Sequence, residues 1–142
     1  MVNGRSTPAN LEGSERDGWV RERGDLGPLV SLLVEAIATQ GTSAANAALR
    51  ELAEAMEAHF SVKEEVYFPL VEDLRPDQRY SVERARRVHT RVRRGLGELS
   101  RSLADGRLQE ARSLLGELLA ELRAHEQEAA RLIAGLRQAP LG

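Results

Sequence analysis

A chain of 142 residues is long enough to bury one sizeable core. With 42% hydrophobic, 30% charged and only 4% aromatic residues, it favours helices over sheets. A formal net charge of -2 argues against a general nucleic-acid binder, and the absence of cysteine excludes disulfides, thiolate metal sites and iron–sulfur clusters. Residues 1–16 are polar and lack the apolar centre of a signal peptide. No apolar run approaches the roughly 20 residues that span a bilayer. The expectation is a soluble, cytoplasmic protein with no membrane or nucleic-acid partner, a protein partner being allowed.

Residues 1–24 form a polar segment punctuated by glycine and proline, which predicts a flexible arm. Trp19 is its one large apolar side chain and is expected to fold back onto the domain. A first helix is predicted over 25–40, capped by Asp25, with the seam Leu26, Val30, Leu33 and Ile37 and a stop at Gly41. Thr42 or Ser43 should cap the second, over 43–73. Its apolar positions run Leu49, Leu52, Met56, His59, Lys63, Val66 and Leu70, in alternating steps of three and four. Pro69 should kink or separate its last turn. The third, over 78–104, carries Val82, Ala85, His89, Val92, Leu96, Leu99 and Leu103, with Gly95 and Gly97 marking close packing or a bend. The fourth, over 107–137, follows the turn Asp105-Gly106 and carries Leu108 to Leu136 at helical spacing. Residues 138–142 are a tail. Four amphipathic helices with short connections predict an all-α, antiparallel up-down-up-down bundle over 25–137.

The chain has three histidines, and each falls on a seam: His59, His89 and His125. At about 1.5 Å rise per residue, they lie within a turn or so of one level of the bundle. Helix bundles build metal sites at such places from inward-facing side chains. Lys63 stands one turn above His59 on the same seam, so its amine needs a carboxylate; Glu121 and Glu128 are the expected partners. With the amine held by one of them, Lys63→Met is expected to be tolerated or stabilising, because a long apolar side chain fills the same space without a desolvated charge.

His59 followed by Glu64-Glu65 and Phe68-Pro69, His89 in Arg87-Val88-His89-Thr90, and His125-Glu126-Gln127-Glu128 together resemble the hemerythrin-like, HHE cation-binding family. The resemblance covers about residues 25–137 and implies a four-helix bundle. In that family the bundle holds a non-haem di-iron centre that binds or senses oxygen, nitric oxide or redox state. It also implies ligands at positions where this chain has Leu26, Lys63 and Ala129. The last two replace the carboxylates that bridge the irons in the family. An ammonium cannot ligate a metal until it loses its proton, so a normal di-iron centre is not expected.

Two readings stay open. In one, the bundle has lost its metal and is a non-enzymatic structural, sensory or partner-binding module with three core histidines. In the other, His59, His89 and His125, completed by water or Glu64, hold one divalent iron or zinc ion in an oxygen-, nitric-oxide- or redox-sensing role. A cofactor or apolar ligand in the bundle core is a remaining alternative. No phosphate-binding loop, His-Glu-x-x-His motif or nucleophile elbow is present, and no catalytic residue is assigned. The arginine-rich run from Arg84 to Arg94 reads as a solvated face with acidic neighbours.

Overall fold

The computed structural model describes residues 26–138, all but a few of them helical, with no strand among them. The expectations for the N-terminal arm, for Trp19, for Asp25 and for the C-terminal tail lie outside these residues. Helix α1 covers 26–35 and closes in a wide π-helical turn, Ala36–Gln40. Gly41, at φ +96°, then reverses the chain; that backbone conformation is one that only glycine adopts without strain. Helix α2 spans Thr42–Val62. Its N-cap is Gly41, with no side-chain cap, so neither Thr42 nor Ser43 performs the capping expected of it. The glycine that ends α1 is also the residue that starts α2, which leaves no extended position for a hydroxyl cap.

Helix α2 runs through a second π-helical turn, Lys63–Tyr67, into α3, Phe68–Leu74. The Phe68 amide reaches back to the Lys63 carbonyl, one residue further than in an α-helix. Pro69 follows at once and offers no amide to the ladder. The backbone stays helical through both junctions, so the widened turn absorbs the proline. It also shifts the seam by one residue. Phe68 and Val71 are buried, whereas Val66 and Leu70, expected inside, are exposed. A short 3₁₀ turn, Pro76–Gln78, leads into α4, Arg79–Ala104, and Gly106 at φ +75° turns the chain into α5, Leu108–Gln138.

Ion pairs and one hydrogen bond fix the directions of these rods. Arg84 meets Glu128, Arg91 meets Glu121 and Ser102 meets Glu110, so α4 and α5 run antiparallel. Arg86 meets Glu72 and Arg93 meets Glu57, so α4 also opposes the α2–α3 rod. The core forms two apolar clusters. The larger joins Leu33, Leu52, Phe60, Leu99 and Leu115. The smaller joins Phe68, Val71, Val82, Ala85 and Leu132. Between them lies the polar level.

Candidate functional site

All three histidines are buried, as is Lys63, whose side chain is 0% exposed. Each arrives there for the reason the periodicity implied. His59 and Lys63 continue the α2 seam of Leu52 and Met56, His89 continues that of Ala85 and Val92 on α4, and His125 that of Leu122 and Ala129 on α5. Phe60 stacks on the His89 ring at 3.8 Å between centroids and 11° between planes, and Phe68 lies 5.6 Å from the same ring. Aromatic faces thus fix the imidazole in orientation and exclude water around it.

Two linked polar groups meet at this level. In the first, Glu64 accepts from His89 Nδ1 at 2.6 Å, while the Arg93 guanidinium forks onto both Glu64 oxygens at 3.1 Å. Arg93 also grips both oxygens of Glu57, at 2.9 and 3.0 Å. Burial works to raise the Glu64 pKa, but Arg93 and His89 outweigh it and hold the carboxyl below its ordinary value. A carboxylate only accepts hydrogen bonds, so the His89 proton sits on Nδ1. Burial pushes His89 down to about 4, with Lys63 adding to the depression and Glu64 opposing it. The ring is therefore neutral at pH 7 and its Nε2 presents a lone pair. That lone pair accepts from His125 Nε2 at 2.8 Å. Burial, then the Lys63 charge, lowers His125 to about 3, so this ring is neutral as well.

The second group is built on Glu126. Its Oε2 accepts from His59 Nε2 at 2.9 Å and from Lys63 Nζ at 3.2 Å. Burial opposes ionisation of Glu126, yet the His59 hydrogen bond and the Lys63 charge hold its pKa at about 2. Lys63 is thus held by Glu126 and not by Glu121 or Glu128. Those two lie seven residues apart on the flank of α5 that faces α4, where Arg91 and Arg84 take them. Glu126 lies four residues beyond buried Leu122, which turns it toward α2. Sequence reasoning passed over Glu126 and Arg93. The i+4 step from Leu122 was the available signal for the first; nothing in the spacing marked the second. Glu64, expected to complete a metal site, is half-buried and bonded to His89 and Arg93.

These residues do not fit a di-iron centre. Ligation takes a lone pair from each imidazole and an anion between the metals. Here the His89 lone pair and the facing His125 proton are matched to each other. The core carboxylate Glu126 faces an ammonium at the same level. Among the described residues, no group of three or more histidine and acidic side chains is arranged to hold a metal ion.

The model of the hemerythrin HHE cation binding domain matches residues 20–136. Comparison with curated proteins and with solved structures finds no match. That match spans most of the chain, and the four helices and the buried histidine level agree with it: the chain belongs to the hemerythrin HHE cation-binding family.

Proposed function

We propose that this bundle is a non-enzymatic structural, sensory or partner-binding module that works without a metal, Lys63 supplying the positive charge its core carboxylate needs. One observation carries the reading. The Lys63 ammonium is fully buried and lies 3.2 Å from Glu126, within the layer that contains His59, His89 and His125. A fixed ammonium repels an incoming divalent cation and already pairs with Oε2 of the carboxylate that would attract one, although Glu126 Oε1 is buried with no hydrogen-bond partner among the described residues. The His89–His125 hydrogen bond adds a second obstacle, since a metal would have to break it to reach either Nε2.

Elemental analysis of protein purified without chelator tests this reading. Iron and zinc should each be far below one equivalent per chain. One equivalent retained through gel filtration would favour a three-histidine metal site, and two would restore the di-iron reading.

A further inference from the structure

The hydrogen-bond chain of the polar level fixes the state of its last nitrogen. Glu64 takes the His89 Nδ1 proton, His89 Nε2 takes the His125 Nε2 proton, and neutral His125 is left with a lone pair on Nδ1. That atom has no hydrogen-bond partner among the described residues, yet it is not sealed in. Among those residues, Glu126 Oε1 is the one fully buried side-chain nitrogen or oxygen without a partner. His125 Nδ1 therefore meets solvent. The opening that His125 lines is a cavity of about 450 Å³ between α4 and α5.

Two ion pairs bracket this cavity, Arg84 with Glu128 at one end and Arg91 with Glu121 at the other. On each helix their members lie one heptad apart, about 10 Å of rise, and His125 falls between the two acids. Ala85 and Ala124, one from each helix, are too short to close the window over the imidazole. A third guanidinium, Arg87, also lines it. Arg84 and Arg91 hold their acids at 3.2 and 2.7 Å, whereas Arg87 approaches Glu83 only to 4.0 Å. An exposed pair that long contributes little, so Arg87 is available to a ligand. Three guanidiniums against two carboxylates also leave the window one positive charge in excess.

The window thus offers a hydrogen-bond acceptor on its floor and an uncommitted guanidinium in its wall. Water satisfies the first and makes no use of the second. A plain carboxylate uses the second and turns lone pairs toward the lone pair of Nδ1. We propose that the cavity binds a small carboxylate that also carries a hydroxyl, its carboxylate forked onto Arg87 and its O–H donated to His125 Nδ1. Ala85, Val88 and Ala124 give the carbon body of such a ligand an apolar wall, and the volume suits a small-molecule site. The assignment rests on the metal-free reading, because a metal on either ring would displace the proton that fixes the Nδ1 lone pair.

The test titrates para-hydroxybenzoate and beta-hydroxybutyrate into the full chain, in chelator at low salt, followed by calorimetry and by NMR of isotope-labelled histidine. Elemental analysis of the same sample keeps the two readings apart: one equivalent of metal would overturn the metal-free reading, whereas the ligand titrations bear on the cavity. At least one hydroxy acid should bind with a Kd of about 1 mM or below and move the His125 Nδ1 resonance. Benzoate and butyrate, which lack the hydroxyl, should bind about tenfold more weakly. Arg87→Gln should weaken the hydroxy acid about tenfold, and Arg101→Gln, on α4 outside the cavity, should leave it unchanged. Ala124→Leu, at an exposed position, should fill the window and abolish binding. No binding of either hydroxy acid up to about 10 mM would overturn the proposal. So would equal affinity for the hydroxyl-free acids, an unmoved His125 resonance, or an Arg87→Gln variant that binds as wild type does.

Discussion

Lys63 is the residue on which the core turns. Its seam position was readable from the spacing, and so was its need for an acid. Its partner was not, because Glu121, Glu126 and Glu128 all lie near the right height, and only the rotation of α5 about its axis selects among them. The pairing with Glu126 changes what a substitution should do. Lys63→Met was expected to be tolerated; with half-buried Glu126 sharing its Oε2 between Lys63 and His59, it leaves that carboxylate with His59 as its one hydrogen-bond donor among the described residues. Urea unfolding should therefore show a loss of about 3–5 kcal/mol, the cost of breaking a buried pair from one side. A change below about 1 kcal/mol would mean that the ammonium contributes little to holding Glu126. The histidines predict a pH dependence. Folded His89 and His125 titrate near 4 and 3, against an ordinary 6.5, so below 6.5 the unfolded chain binds more protons than the folded one. Their contribution is complete above pH 6.5 and is lost as pH falls toward 4 and then 3. Stability measured by urea from pH 7.5 to 5 should fall by up to about 1.4 kcal/mol per pH unit for each ring, and replacing His125 should roughly halve the slope. Glu126, depressed to about 2 from 4.5, adds a loss of the same sign in a lower window. A flat profile down to pH 5 would mean that the imidazoles titrate in the fold as they do in the unfolded chain.

At the scale of the helices, periodicity located all four and their seams, because steps of three and four report one buried face without regard to partners. It failed where the backbone left α geometry. The π-helical turn at Lys63–Tyr67 adds a residue that no count at α spacing reveals, so Val66 and Leu70 were assigned to the inside. Pro69 was the visible sign of irregularity, although it does not specify which way the seam rotates. The two glycines of α4 illustrate a second limit. Both lie inside one unbroken helix, and the sequence does not separate their reasons. A Cβ on Gly95 would sit 2.5 Å from Leu118 Cδ2, whereas on Gly97 its nearest neighbour is Arg101 Nη1 at 3.9 Å. Gly95 lets α5 approach closely; Gly97 has no such role. In thermal unfolding, Gly95→Ala should cost about 1–3 kcal/mol through overpacking, net of its helix propensity. Gly97→Ala should gain up to about 1 kcal/mol. Equal effects at the two sites would contradict the close approach of α4 and α5 at Gly95.

The whole molecule is a hemerythrin-family bundle whose polar layer pairs Glu126 with Lys63 and His59, and Glu64 with Arg93 and His89. Its family and fold were legible because three histidines on three seams at one height form a pattern that apolar packing does not require. What that layer does was less legible, since its chemistry depends on which lone pair meets which proton. No described helix is long and apolar enough to cross a membrane. The central claim is that the Lys63 ammonium takes the role that a cation would have. Lys63→Glu reverses the charge at that point and removes the counter-ion of Glu126. The most direct test is thermal unfolding of wild type and Lys63→Glu side by side, each with chelator and with added ferrous or zinc ion. Wild type should melt at one temperature under all conditions. Lys63→Glu should melt lower in chelator and recover with metal, because two facing carboxylates then need a cation between them. A wild-type transition that rises with metal, or a Lys63→Glu variant indifferent to it, would contradict the account.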